Sequence, residues 1–199
     1  MIRKLPPGSR LIVENGHLTI ERYWDFSFAR RAEPAEEGDF ESLLRDTVDS
    51  RLIADVPVGI ALSGGIDSAS ILYGAVAARG PEQIRAFSIG FEDADYDESP
   101  RARLTARHFR VRHECRMMNT DTLRTVMPEI LRHLDEPFAD ASLIPTYLLS
   151  RTMREHVTVA LGGDGGDELM AGYPVFKAQS VARWLGFLPS GLWRGAAAL

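Results

Sequence analysis

Two short apolar runs, Leu11-Ile12-Val13 and Leu18-Thr19-Ile20, flank Glu14-Asn15-Gly16-His17. Asn-Gly supplies the two positive-φ residues that a type I′ turn needs, so the spacing predicts a β-hairpin. A lone hairpin is marginal in water. It is therefore expected either to join a sheet from elsewhere or to pack on the later part of the chain. Residues 31–38 are charged and carry Pro34 and Gly38, and they read as a linker. The period then changes. Asp39 stands as a helix N-cap, and Phe40, Leu43, Leu44, Val48 and Leu52 recur at helical spacing. Strands are expected at 58–62, 84–90, 111–118 and 157–161, with helices at 68–78, 99–109, 120–134 and 144–156. The third of these helices is expected to be interrupted, or begun, at Pro128. Strand alternating with helix predicts a parallel α/β sheet with helices on both faces. The last twenty residues carry Val181, Trp184, Leu185, Phe187, Leu188, Leu192 and Trp193, an apolar helix without an evident partner. With a hairpin at one end and that helix at the other, the pattern reads as a chain cut at both ends.

Composition narrows the classes. The chain has 199 residues, of which 45% are hydrophobic and 26% charged, as in a globular protein. Against 23 Lys+Arg stand 28 Asp+Glu, a net charge of −5, which argues against nucleic acid and anionic membranes as partners. The single cysteine, Cys115, excludes an internal disulfide framework and a Cys-rich zinc site. No apolar run approaches the ~20 residues of a membrane helix, and no secretory signal opens the chain, so a cytoplasmic location is expected.

Leu62-Ser63-Gly64-Gly65-Ile66-Asp67-Ser68 lies between an expected strand and an expected helix. Glycines let backbone N–H groups approach an oxyanion, and a helix N-terminus adds positive potential. Asp67 would repel phosphate unless a hard cation such as Mg²⁺ joined them. The segment has neither the Gly-Lys-Ser/Thr of a P-loop nor the third glycine of a dinucleotide fingerprint. It resembles the pyrophosphate loop of the N-type ATP pyrophosphatases. That resemblance implies an adenine nucleotide α-hydrolase-like fold and cleavage of ATP between its α- and β-phosphates. Asparagine, GMP, NAD and argininosuccinate synthetases and tRNA-modifying ligases share the loop, so it does not choose among them.

The segment from Gly162 to Tyr173, Gly-Gly-Asp-Gly-Gly-Asp-Glu-Leu-Met-Ala-Gly-Tyr, comes after the last expected strand. Asp164, Asp167 and Glu168 crowd together, and like charges so close call for a cation, a basic group or acid/base work. A solvated or Ca²⁺-binding loop would also fit the composition, although the spacing is not that of an EF-hand. The segment resembles the second signature of class II, glutamine-dependent asparagine synthetases. Asp135-Glu136-Pro137-Phe138-Ala139-Asp140-Ala141-Ser142 is similar to the same family, and Lys4-Leu5-Pro6-Pro7-Gly8 resembles the last strands of its glutaminase domain. The resemblance implies three parts: a glutaminase remnant at 1–30, the linker at 31–38, and a C-terminally incomplete ATP-pyrophosphatase domain at 39–199.

The resemblance further implies amidation of aspartate through β-aspartyl-AMP, with ATP and Mg²⁺ as cofactors and ammonia drawn from glutamine. Leu62 and Ile89, with Gly90, would contact adenine and ribose. Ser63, Gly64, Gly65 and Ser68 would hold pyrophosphate, and Gly162 and Gly163 would line the nucleotide and aspartyl group. Asp67 and Asp167 would bind Mg²⁺. Asp164, Asp167 and Glu168 are the catalytic candidates, Asp164 standing where many members have Glu. A homodimer, or a glutaminase on another chain, is left open.

Four departures qualify this. Gly162 replaces the usual Ser, and Met170 the usual aromatic residue, a change expected in the core. The N-terminal Cys nucleophile of the glutaminase is absent from a chain that starts Met1-Ile2. The Lys that the family carries well beyond the second signature has no counterpart, since after residue 173 only Lys177 occurs. Two alternatives result: an amidotransferase of the same fold acting on another carboxylate, and a non-catalytic nucleotide-binding fragment. A tRNA-modifying ligase is disfavoured by net charge and by the second signature.

Other residues read as structural. Cys115 is expected as a small buried hydrophobe, and the five histidines show no metal-ligand spacing. Trp184, Phe187 and Trp193 are expected in a core or interface. Arg101, Arg103, Arg107 and Arg110 form a basic face on one helix, and Glu92, Asp93, Asp95, Asp97 and Glu98 an exposed acidic loop.

Overall fold

Strands β1 (Ser9–Glu14) and β2 (His17–Arg22) pair antiparallel, with Leu11 opposite Ile20 and Val13 opposite Leu18. Asn15 and Gly16 at the tip have φ of 51° and 78°, the conformation the Asn-Gly pair was expected to adopt. This computed structural model describes residues 3–27 and 37–185. Phe187 and Trp193 lie outside those residues. Contacts divide the chain into two units, 1–36 and 37–199. Within the first, Leu11, Val13, Leu18 and Ile20 share one face of the ribbon and are exposed.

The second unit opens with α1 (Glu37–Arg51), followed by β3 (Val58–Ala61), α2 (Ile66–Arg79) and β4 (Arg85–Phe91). Then come α3 (Ser99–His108), β5 (Arg112–Met118), α4 (Thr120–His133) and α5 (Leu143–Arg154). The unit closes with β6 (Val159–Leu161), α6 (Gly166–Met170) and α7 (Pro174–Leu185). The four strands form one parallel sheet in the order β5-β4-β3-β6.

Alternation along the strands divides the core. On one face Ile60 and Ala86 pack with Val48 and Leu52 of α1, Leu72 and Ala75 of α2, and Ala102 and Ala106 of α3. On the other face Phe87 packs with Met153 and Val157, and Ile89 with Val126, Ile130 and Leu148. A two-faced parallel sheet explains why β3 and β4 are mostly apolar runs, as short β6 is, whereas the edge strand β5 is largely polar.

Several local expectations are corrected. α1 begins at Glu37, so Gly38 and Asp39 lie inside the helix and Asp39 is not its N-cap. Only part of the predicted stripe is buried: Val48 and Leu52 are, whereas Phe40 and Leu43 face solvent. α4 runs through Pro128 without a break. The helix is held at its start by Asn119, whose side chain accepts from Thr122 N at 2.8 Å, and along its length by buried Val126 and Ile130. Arg110 is beyond the end of α3, in a left-handed conformation (φ 57°), and does not belong to the basic helix face.

Candidate active site

The strand order places a topological switch between β3 and β6. From β3 the chain moves outward to β4 and β5, and it returns to the other side of β3 as β6. In open α/β sheets a crevice forms there, at the carboxyl ends of the strands. The Ser63–Ser68 segment leaves β3 and the Gly162–Asp167 segment leaves β6, so both constellations stand at that crevice.

The first loop is organised by Ser68. Its buried Oγ accepts from Ser63 N at 3.2 Å, lies 3.0 Å from Ser63 Oγ and donates to Gly65 O at 3.1 Å. Ser63 Oγ in turn accepts from Gly65 N at 3.2 Å. Gly64 has φ 92°, and a Cβ there would stand 2.9 Å from Ala102 N and 3.0 Å from Glu98 O. The loop is thus seated on the backbone of α3's first turn. Gly65, the N-cap of α2, gives no side-chain cap, so that helix's first amides remain free to meet an anion.

The second loop locks against the first. A Cβ at Gly163 would stand 2.8 Å from Ser68 N, and one at Gly166 would stand 2.5 Å from the Asp67 carboxyl carbon. Gly166 N donates to Gly163 O at 3.1 Å, and Gly165 takes φ 87°. Past α6 the chain folds back: Ala171 is left-handed (φ 56°), and Gly172 N donates to Asp167 O at 3.0 Å. Tyr173 then donates its hydroxyl to Glu168 Oε1 at 2.8 Å. That bond, some burial and the charges of Glu168 and Asp167 push the Tyr173 phenol above its usual range.

The remaining candidates separate. Asp164 and Glu168 are exposed. Asp164 Oδ2 occupies the space over Gly162, 2.6 Å from where a Cβ would stand. Leu62 N donates to Phe87 O at 2.8 Å, so its amide is already used and only its carbonyl could serve a nucleotide. Ile89 belongs to the packed face against α4 and α5, and buried Gly90 lies under Met117 and Ser99. Met170 is 57% exposed, so its replacement of an aromatic residue is not a core change among the described contacts.

Among the described residues no group of three or more His, Cys, Asp or Glu gathers into a protein-only metal cage. Mg²⁺ held by one or two carboxylates and phosphate oxygens needs none. Asp67 and Asp167, in the first turns of α2 and α6 on interlocked loops, fit that donor set.

Two supporting residues were not legible as such. Asp97, expected to be exposed, is half-buried: Oδ1 accepts from Phe91 N at 3.2 Å and Ser99 N at 3.0 Å, and Oδ2 from Ser99 Oγ at 3.1 Å. Burial pushes its carboxyl up, but these bonds and the charge of Arg103 outweigh it and hold it below the usual range. Asp97 therefore ties the end of β4 to the helix on which Gly64 rests. The only sequence signal is an Asp two residues before a Ser-Pro helix start. Asp140, whose Oδ1 accepts from Ser142 N at 2.8 Å, closes the turn into α5 in a similar way.

The glutamine-dependent NAD+ synthetase from Acinetobacter baumannii, solved with adenosine diphosphate, superposes with a TM-score of 0.52 at 24% identity, over 72% of this chain and 29% of that one. The chain thus shares its parallel-sheet α/β fold with that structure. The Asparagine synthase family model matches residues 39–198, and the chain belongs to that family. It is 32% identical over 194 residues to asparagine synthetase [glutamine-hydrolyzing] 1 of Bacillus subtilis, covering 96% of this chain and 30% of that protein. It is 34% identical over 200 residues to a putative asparagine synthetase [glutamine-hydrolyzing] of Mycobacterium tuberculosis (strain H37Rv), covering 97% and 30%. The chain therefore spans about 30% of the length of these curated relatives.

Proposed function

We propose that this chain carries the adenylating site of an asparagine synthetase. The side-chain carboxylate of aspartate attacks the α-phosphorus of ATP, and the bond to pyrophosphate breaks. Ammonia then attacks the acyl carbon of β-aspartyl-AMP, AMP leaves, and a proton passes from the nitrogen to a base. The observation that carries this reading is the interlock of the two loops, with Asp67 against Gly166 and Ser68 N against Gly163.

The residues divide the work. The free amides at the start of α2, with the hydroxyls of Ser63 and Ser68, would bind the β- and γ-phosphates as pyrophosphate forms. Asp67 and Asp167 would hold Mg²⁺, which when bound neutralises charge on the phosphates. Asp164 and Glu168, exposed at the mouth, are the groups available to take the proton from ammonia. Tyr173 fixes Glu168 in one orientation. Positioning and charge neutralisation dominate such chemistry. Ammonia would come from a glutaminase, as the relatives' glutamine-hydrolysing names suggest. Among the described residues no helix is long and apolar enough to cross a membrane.

One observation favours a second reading, an acceptor other than aspartate. At Gly162 the family's usual hydroxyl is missing, and the Asp164 carboxylate lies over the vacated position. ATP–pyrophosphate exchange tests both readings. With Mg²⁺, exchange should require aspartate and vanish in Asp67→Ala. Exchange that ignores aspartate but responds to another carboxylate would select the second reading. Absence of exchange with every carboxylate would overturn both.

A further inference from the structure

At the opposite edge of the sheet from β6, a cavity of about 430 Å³ opens between α3 and β5. It is lined by Arg103, Ala106 and Arg107 of α3, by Val111, and by His113 and Cys115 of β5. The volume is that of a small-molecule site. It is separate from the nucleotide crevice. β5 is two strands from β3, and His113 and Cys115 pair with Ala86 and Ser88, in the first half of β4 rather than at its carboxyl end.

The charge lining this cavity is unbalanced. In a chain of net charge −5, Arg103 and Arg107 stand one helical turn apart on the cavity wall. Among the described residues neither guanidinium has an acidic partner within 4.0 Å. Asp97, whose carboxyl is lowered in part by the charge of Arg103, already accepts from Phe91 and Ser99. His113 is held in place, its Nε2 2.5 Å from the Oγ of buried Ser88. Guanidinium groups supply paired donors that match phosphate oxygens. Ala106 and Val111 are buried behind the wall, the half-buried His113 and Cys115 of β5 face the space beside the arginines, and the volume exceeds what an inorganic ion needs.

We propose that this cavity binds a phosphate monoester of a small organic molecule, its phosphate held by Arg103 and Arg107 and the rest of the molecule lying along His113 and Cys115 of β5. The site goes beyond the adenylation reading and does not depend on it. Arg103 directly follows Ala102, whose backbone N lies against Gly64, so this cavity and the seat of the Ser63–Ser68 loop share helix α3.

Ribose 5-phosphate is the probe, titrated calorimetrically into the full chain with and without saturating MgATP. Binding is expected in both conditions, and ribose alone should give no heat. Arg103→Gln/Arg107→Gln should weaken binding by roughly tenfold or more, and Arg107→Gln alone should weaken it measurably. Arg101→Gln, on the same helix but 4.0 Å from Glu98, should leave it unchanged. Circular dichroism melting identifies any variant that fails to fold, and the single Arg107 variant then carries the test. The proposal is overturned if the wild-type chain does not bind the probe, or if MgATP displaces it. It is equally overturned if Arg101→Gln weakens binding as much as the double variant does.

Discussion

The carboxyl group of Asp67 and the α-carbon of Gly166 are in contact across the crevice: a Cβ added at Gly166 would stand 2.5 Å from Asp67 Cγ. One residue follows β3 and the other follows β6, 99 positions later in the chain. Gly166→Ala should therefore act on the position of Asp67 and not on the core. Displacing one charged ligand contact predicts roughly tenfold weaker ATP binding in Mg²⁺, measured by anisotropy of a labelled nucleotide. The melting temperature should stay within a few degrees of wild type. Unchanged affinity would mean that the Asp67 carboxylate is not part of the site.

Gly64 faces a different constraint. Its φ of 92° disfavours any L side chain, and the backbone of Glu98 and Ala102 leaves no room for one. Gly64→Ala should cost about 1–3 kcal/mol through backbone strain alone, before α3 is pushed away. For a domain of this size, thermal denaturation should show a loss of roughly 2–4 °C per kcal/mol.

His113 predicts a pH dependence. Burial first, and then the charge of Arg103, hold its imidazole below the ordinary range. The unfolded chain takes up that proton near about pH 6.5 and the folded chain only at lower pH. The neutral imidazole therefore contributes stability above the unfolded value, and this is lost as pH falls through the folded one. Urea unfolding across that window should show a shallower decline for His113→Gln than for wild type.

Tyr173 titrates in the opposite sense. Its bond to Glu168 raises the phenol, so the contact is intact below the ordinary tyrosine value and is lost as pH rises through the folded one. In carbon-13 spectra of ring-labelled tyrosine, the Tyr173 midpoint should lie above about 10 and fall towards it in Glu168→Gln. A midpoint unmoved by that substitution would separate Tyr173 from Glu168.

Most of the sheet was readable because β3, β4 and β6 are short, mostly apolar runs with turn residues between them, whereas β5 is largely polar, and the hairpin was readable because Asn15-Gly16 favours a tight turn. The two loops were readable because glycines and carboxylates cluster where strand gives way to helix. Local pattern fails where the outcome depends on long-range packing. Glu36-Glu37-Gly38 reads as linker by composition, yet helix α1 takes in Glu37 and Gly38. Helical spacing placed Phe40 and Leu43 on the same stripe as Val48 but could not say how far the covering surface extends. The roles of Asp97 and Tyr173 depend on the chain turning back onto Ser99 and Glu168, and their residue types do not announce that.

We propose that the loops after β3 and β6 form one MgATP site. Calorimetric titration of ATP, with and without Mg²⁺, into wild type, Asp67→Asn and Asp167→Asn tests it most directly. Mg²⁺-dependent binding is expected in wild type, and a loss of roughly tenfold or more in each variant. Binding in either variant with wild-type affinity and the same Mg²⁺ dependence would contradict it.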